Sequence, residues 1–248
     1  MKIEDYLLEN YSKNALKPWL TGIRKYLNYA GEQAETANHQ AVLDYIQHLR
    51  KSQNLHPKTL KQYLGAVKVY YNYLLSIGKR EDHPCRNLSL KDKIDRSIHA
   101  NQLYSQEQLE TYLKACDSLN PPYQRRVKLI TSLLVYQALK VSEICHLETS
   151  DLDLEKGEIH IKNEEKQQRT LALKPQQILL SYRYLEEDYP TLTQYLDKPK
   201  KLITGKLKED LRPNVINHLI NHWREEKERL IPLKIRQSVI SNLLKKRK

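Results

Sequence analysis

Phenylalanine is absent from the 248 residues, and glycine occurs only 6 times, cysteine 3 times, tryptophan twice and methionine once. Each shortage excludes something. With so few glycines there is little turn material for a many-stranded fold, so helices are expected to dominate. Cys85, Cys116 and Cys145 stand far apart, without the paired spacings of a zinc site or a disulfide framework, which points to a reducing, bacterial-type cytoplasm. No apolar run approaches the roughly 20 residues of a membrane span, and Met1 to Asn10 carries acids where an export signal would be basic, so neither membrane insertion nor export is expected. GxGxxG, P-loop, HExxH and GxSxG patterns are all missing, so no cofactor, metal or small-molecule substrate is expected.

What is present is positive charge and tyrosine. Lys and Arg number 42 against 30 for Asp and Glu, a formal charge of +12, which favours a polyanionic partner. Nucleic acid is the first candidate, and the aromatic stacking motifs of common RNA modules are not found. The 17 tyrosines are expected to fill the core positions that phenylalanine usually holds, with their hydroxyls at the rim. The acid pairs Glu164-Glu165 and Glu186-Glu187 read as exposed charge.

Apolar residues recur at three- and four-residue intervals, the period of a helix with one buried face. Leu16, Leu20, Ile23 and Leu27 form one stripe, and Val42, Ile46 and Leu49 a second. A third, through Leu60, Leu64, Val67, Tyr71 and Leu74, stops before Gly78, a typical position just past a helix end. Residues 1–90 therefore predict a helical bundle, with basic side chains between the stripes on an exposed face. The polar stretch 91–104 reads as a linker. Ser105 and Gln108 form a capping box that starts a second domain over 105–248. Leu129 to Tyr136 predicts a core helix, and Ile159–Ile161 with Arg169–Leu173 a β-hairpin around a polar turn. Pro213 and Pro232 each fit the first turn of a further helix. Trp223 and His222 read as packing and surface residues. The fold class expected is mainly α, in two domains, with one small β-hairpin or sheet.

Several segments, in this order along the chain, resemble the tyrosine recombinases of phage-integrase type. Pro57-Lys58-Thr59-Leu60-Lys61-Gln62-Tyr63-Leu64 is similar to the start of the third helix in that family's SAM-like core-binding domain. Ala138-Leu139-Lys140-Val141-Ser142-Glu143-Ile144, followed by Ser150-Asp151-Leu152-Asp153, resembles the segment bearing the first catalytic arginine. Lys162 to Leu173 resembles the lysine-bearing hairpin, Leu211-Arg212-Pro213-Asn214-Val215-Ile216-Asn217-His218-Leu219 a helix beside DNA, and Ile231-Pro232-Leu233-Lys234-Ile235-Arg236 the Pro-His-x-Leu-Arg segment.

The resemblance implies a domain in which two arginines, a histidine and a hairpin lysine stabilise a phosphorane formed when a tyrosine attacks DNA. Here Lys140 stands at the first arginine, Leu233 at the histidine, Arg236 at the second arginine, and Glu143 at the acid that orients the first arginine. Lys166 or Lys162 fits the hairpin lysine, with Lys166 preferred, although strict spacing from Arg169 falls on Glu164. The last tyrosine is Tyr195, so the nucleophile's segment is absent and the second domain is expected to be truncated at its C-terminus. DNA contacts are expected from Lys17, Arg24, Lys25, Lys58, Thr59, Lys61 and Lys68 in the first domain. In the second they are expected from Lys140, Lys166, Arg169, Arg212, Asn214, His218 and Arg236, with Lys245 to Lys248 as a basic tail. The expected function is an inactive relative that binds double-stranded DNA and assists or regulates recombination in a mobile element, with active recombinases or a second copy as protein partners. The alternative is an active recombinase whose tyrosine comes from another protomer or was lost by truncation.

Overall fold

The computed structural model describes residues 2–94, 97, 99–162 and 168–245. It divides into two units, Met1–Ser97 and Ile98–Lys248.

The first unit packs four helices, α1 (Ile3–Asn10), α2 (Lys13–Ala30), α3 (His39–Gln53) and α4 (Pro57–Ser76). The three apolar stripes lie on α2, α3 and α4 and meet in one core. Asn38 caps α3 by accepting the Ala41 N–H at 3.0 Å, and Pro57 opens α4 where a missing N–H costs nothing. Gly78, at φ +69°, turns the chain out of α4 in the left-handed region. Close packing of α2 on α4 depends on Gly22, because a Cβ there would lie 2.5 Å from the Cβ of Ala66.

Three core tyrosines depart from expectation, since their hydroxyls are inside rather than at the rim. Tyr26, Tyr45 and Tyr71 are fully buried. The Tyr26 and Tyr71 hydroxyls are 2.5 Å apart, and Tyr71 donates to the carbonyl of Ala34 at 2.9 Å. These partners make the burial of Tyr26 and Tyr71 tolerable, whereas the enclosed Tyr45 hydroxyl has none, and the rings pack edge-on at centroid distances of 5.0 Å for Tyr26–Tyr45 and 6.0 Å for Tyr26–Tyr71.

Residues near both ends of the expected linker, 91–104, make contacts within a unit. Asp92 is held to the first unit by two oxygens on Arg50, at 2.6 and 2.8 Å. Tyr104 is already buried in the core of the second unit, where its N–H donates to Ser238 Oγ at 2.9 Å. A polar run looks like a linker in sequence because local charge does not reveal a partner 42 residues away.

The second unit begins with α5 (Gln106–Ala115), opened by the expected capping box: Ser105 Oγ accepts the Gln108 N–H at 3.2 Å and Gln108 returns to the Ser105 N–H at 2.8 Å. Helix α6 (Tyr123–Tyr136) runs through the centre, with Leu129, Ile130, Leu133 and Leu134 fully buried. After α7 (Val141–His146) comes a three-stranded antiparallel sheet rather than a lone hairpin. Its strands are β1 (Leu152–Asp153), β2 (Glu158–Ile161) and β3 (Arg169–Ala172), with Ile161 opposite Arg169. Strand β1 has only two residues, too few for an alternating pattern to be visible in sequence.

Helices α8 (Pro175–Arg183) and α9 (Tyr189–Thr193), α10 (Pro213–Asn221) and α11 (Pro232–Lys245) complete the unit. Pro213 and Pro232 both stand at first helical positions. A paired amide joins three elements: Gln137 and Gln177 exchange hydrogen bonds at 2.9 Å, Gln137 also donates to Ala172 O, and Gln177 to Ser132 Oγ. The end of α6, the end of β3 and the start of α8 are thereby fixed together. That fixes the frame of the site.

Candidate functional site

Helix α6 ends at Tyr136, and the chain must turn sharply to begin α7. Ala138 makes that turn at φ +53°, a left-handed conformation that glycine adopts far more readily. Leu139 is buried, anchoring the turn, and Lys140 takes an extended conformation as the residue capping α7. Its N–H donates to Glu143 Oε2 at 2.7 Å, while its side chain is exposed.

Glu143 is the hub. Arg169, on β3, reaches it with both terminal nitrogens, Nη1 to Oε1 and Nη2 to Oε2, each at 2.9 Å. Arg236, on α11, places Nη1 4.0 Å from Glu143 Oε2, and this enclosed nitrogen has no hydrogen-bond partner. Burial by itself would raise the Glu143 pKa. The Arg169 hydrogen bonds, the Lys140 N–H and the Arg236 charge outweigh it and hold the carboxyl below its ordinary value. Glu143 is therefore ionised at neutral pH.

The acid expected to orient residue 140 holds that residue by its backbone and takes the Arg169 fork instead. Lysine cannot offer the planar bidentate geometry, whereas arginine can. The alternation in β3 could have revealed this, since Arg169 shares the half-buried side of the strand with Leu171 while Thr170 and Ala172 are exposed. The pairing itself joins residues 26 apart and leaves no local mark.

Leu233 is 65% exposed on the first turn of α11. It precedes Arg236 by three residues, roughly one turn. Lys162 is paired with Asp151 at 2.7 Å and Glu148 at 3.7 Å, and Glu148 is also paired with Lys201 at 3.2 Å. Lys166 and the Glu164-Glu165 pair lie outside the described residues, as do Lys246 to Lys248. Arg212 caps α10, with Asn214 and His218 exposed beyond it. His218 stacks on His222 with centroids 5.0 Å apart. Trp223 is half-buried under Arg224 at 4.0 Å. Glu187, although exposed, is paired with Arg125 at 2.6 Å.

In the first unit, Lys17, Arg24 and Lys58 are exposed as expected. Three lysines and Thr59 are less free. Lys25 is half-buried, bonded to Gln53 Oε1 and lying 4.6 Å from the Tyr63 ring centroid. Lys68 is half-buried and donates to Arg86 O at 2.9 Å. Lys61 is exposed but donates to Asp92 O at 3.1 Å, and Thr59 is half-buried. Helical spacing put these residues outside the apolar stripes but could not show that the segment after α4 returns to meet Lys61 and Lys68. Among the described residues no cluster of three metal-ligating side chains occurs, and no helix is long and apolar enough to cross a membrane.

A helical unit followed by a helical unit with a small antiparallel sheet, and a basic cluster between a helix turn, a strand and a late helix, defines a class of protein that comparison can test. Residues 102–247 match the phage integrase family, and residues 3–78 match its N-terminal SAM-like domain. The chain belongs to the phage integrase family. It is 22% identical to a tyrosine recombinase of Thermosipho africanus, over 98% of this chain and 84% of that protein. It is 28% identical to the tyrosine recombinase XerA of Thermococcus kodakarensis, over 65% of this chain and 51% of that one.

Among solved structures, XerH recombinase bound to its difH substrate superposes with a TM-score of 0.73 at 19% identity, covering 98% of this chain and 75% of that one. A lambda integrase dimer bound to a COC′ core site gives 0.65 at 14%, covering 98% and 68%. At such identities the likeness is one of fold.

Proposed function

We propose that this chain binds duplex DNA and holds a backbone phosphate at the Glu143 cluster without cleaving it. It serves as an accessory or regulatory factor in site-specific recombination or integration of a mobile element. The observation that carries this reading is the pair of changes inside one site. Lys140 replaces a fork with a point charge, and Leu233 offers neither a proton nor a charge one turn before Arg236. Cleavage of a phosphodiester requires charge stabilisation and a proton for the leaving oxygen. Holding a phosphate requires only fixed cations. DNA-bound relatives of the same fold support DNA as the ligand.

A nicked suicide duplex incubated with the full chain tests the reading. Salt-dependent binding without a covalent protein–DNA adduct is expected. An adduct would show an active recombinase and overturn the proposal. Contact with roughly six phosphates gives a slope of about −5 in log affinity against log salt, and a flat response would remove DNA as the partner.

A further inference from the structure

Charge at the Glu143 cluster does not balance. One carboxylate, with 9% of its side chain exposed, faces the guanidinium groups of Arg169 and Arg236, which leaves a surplus of one positive charge before Lys140 is counted. The surplus matches a DNA phosphodiester, which carries one negative charge over two non-bridging oxygens.

We propose that Arg169 on β3 and Arg236 on α11 together form the grip on that phosphodiester, with Lys140 contributing only as an outer charge. This assignment rests on the DNA-binding reading above and names the groups that make it. A guanidinium has five N–H groups. Arg169 spends one from each terminal nitrogen on Glu143, so its Nε–H and its two outer N–H groups remain. Its side chain is 35% exposed.

The Glu143 carboxylate fixes the plane of the Arg169 fork before any ligand arrives, so little side-chain freedom is lost on binding. Arg236 is 30% exposed. Its Nη1 is enclosed beside Glu143 with no hydrogen-bond partner, so a ligand would meet the exposed remainder of the side chain. Lys140, in contrast, is fixed through its backbone, and its exposed side chain is not aimed by the carboxylate.

The bland alternative makes Arg169 a purely internal counter-ion for Glu143. The two roles separate in a binding titration of the full chain with a fluorescein-labelled random-sequence duplex of about 30 base pairs, read by anisotropy across a salt series. Arg169→Lys keeps the charge and loses the second fork edge. It is expected to weaken binding about tenfold. Lys140→Ala is expected to weaken binding no more than about threefold. In Nε–Hε correlation spectra, duplex DNA should shift the Arg169 and Arg236 signals, assigned by their loss in the lysine variants.

Should Arg169→Lys fail to fold, the double change Glu143→Gln with Arg169→Gln removes both charges of the pair together. It is expected to retain the circular dichroism of the wild type, with weaker binding and a salt slope shallower by about one. Wild-type binding with Arg169→Lys unchanged, or with a larger loss in Lys140→Ala than in Arg169→Lys, overturns the assignment and leaves DNA binding standing. Absence of any salt-dependent binding by the wild type overturns DNA binding, and the assignment with it.

Discussion

Three lysines of the first unit and three cations of the second are anchored differently, although Arg50, Lys79 and Arg80 of the first unit also meet carboxylates. In the first, Lys25, Lys61 and Lys68 are held by neutral acceptors: a glutamine side chain and the carbonyls of Asp92 and Arg86. In the second, Lys162, Lys201 and Arg169 are held by carboxylates. A carbonyl fixes a lysine and leaves its charge in the surrounding field, whereas a carboxylate fixes it and cancels that charge. A basic residue tied to a neutral acceptor thus still attracts a polyanion. One tied to a carboxylate does so only where cations outnumber acids, as they do around Glu143.

The largest expected effect tests the acid side of this contrast. Glu143→Ala leaves the Arg169 and Arg236 guanidiniums without their counter-charge. Denaturant unfolding followed by Trp223, with Trp19 replaced, should show a loss of about 2 kcal/mol in the second unit. The partial exposure of both arginines keeps the loss at the low end for a broken ion pair. In the wild type the same carboxylate gives an acid limb. Its folded pKa lies below the unfolded value of 4.5, so its contribution is full above that value and disappears as pH falls through the folded one. Glu143→Ala should flatten that limb; an unchanged limb would mean that the carboxylate does not carry the cluster.

A smaller effect sharpens the account of how the second unit aims its site. Ala138 occupies a left-handed conformation beside Lys140, so Ala138→Gly should raise the melting temperature, by a stabilisation of about 1 kcal/mol. A drop would show that the methyl group's packing outweighs its backbone strain.

The smallest effect addresses the contrast directly. Lys61→Ala, which removes an uncancelled charge, is expected to weaken duplex binding about threefold and make the salt slope shallower by about one. Lys162→Ala, which removes a cation already matched by Asp151, should change affinity less than about twofold. Equal losses in an anisotropy titration would break the distinction between neutral and acidic anchors.

Much of this was legible from local pattern. The three apolar stripes, the Ser105–Gln108 capping box, Gly78 as a helix stop and the two proline helix starts depend on neighbours within about one turn, so a single stretch of chain suffices to recognise them. Strand β1 was too short to show, and the buried tyrosine hydroxyls were not legible because their partners, such as Ala34 O for Tyr71, lie 37 residues away.

At the site, the sequence determined which ionisable groups were present: Glu143 after Lys140, an arginine opening β3, and Arg236 behind Leu233. Only the tertiary structure decided how they were matched. It gave the carboxylate to Arg169, placed Lys162 against Asp151 and left Lys140 exposed. The physical reason is that an ion pair is selected by distance and planar geometry across separate elements, whereas the sequence orders those charges along the chain without fixing which will meet.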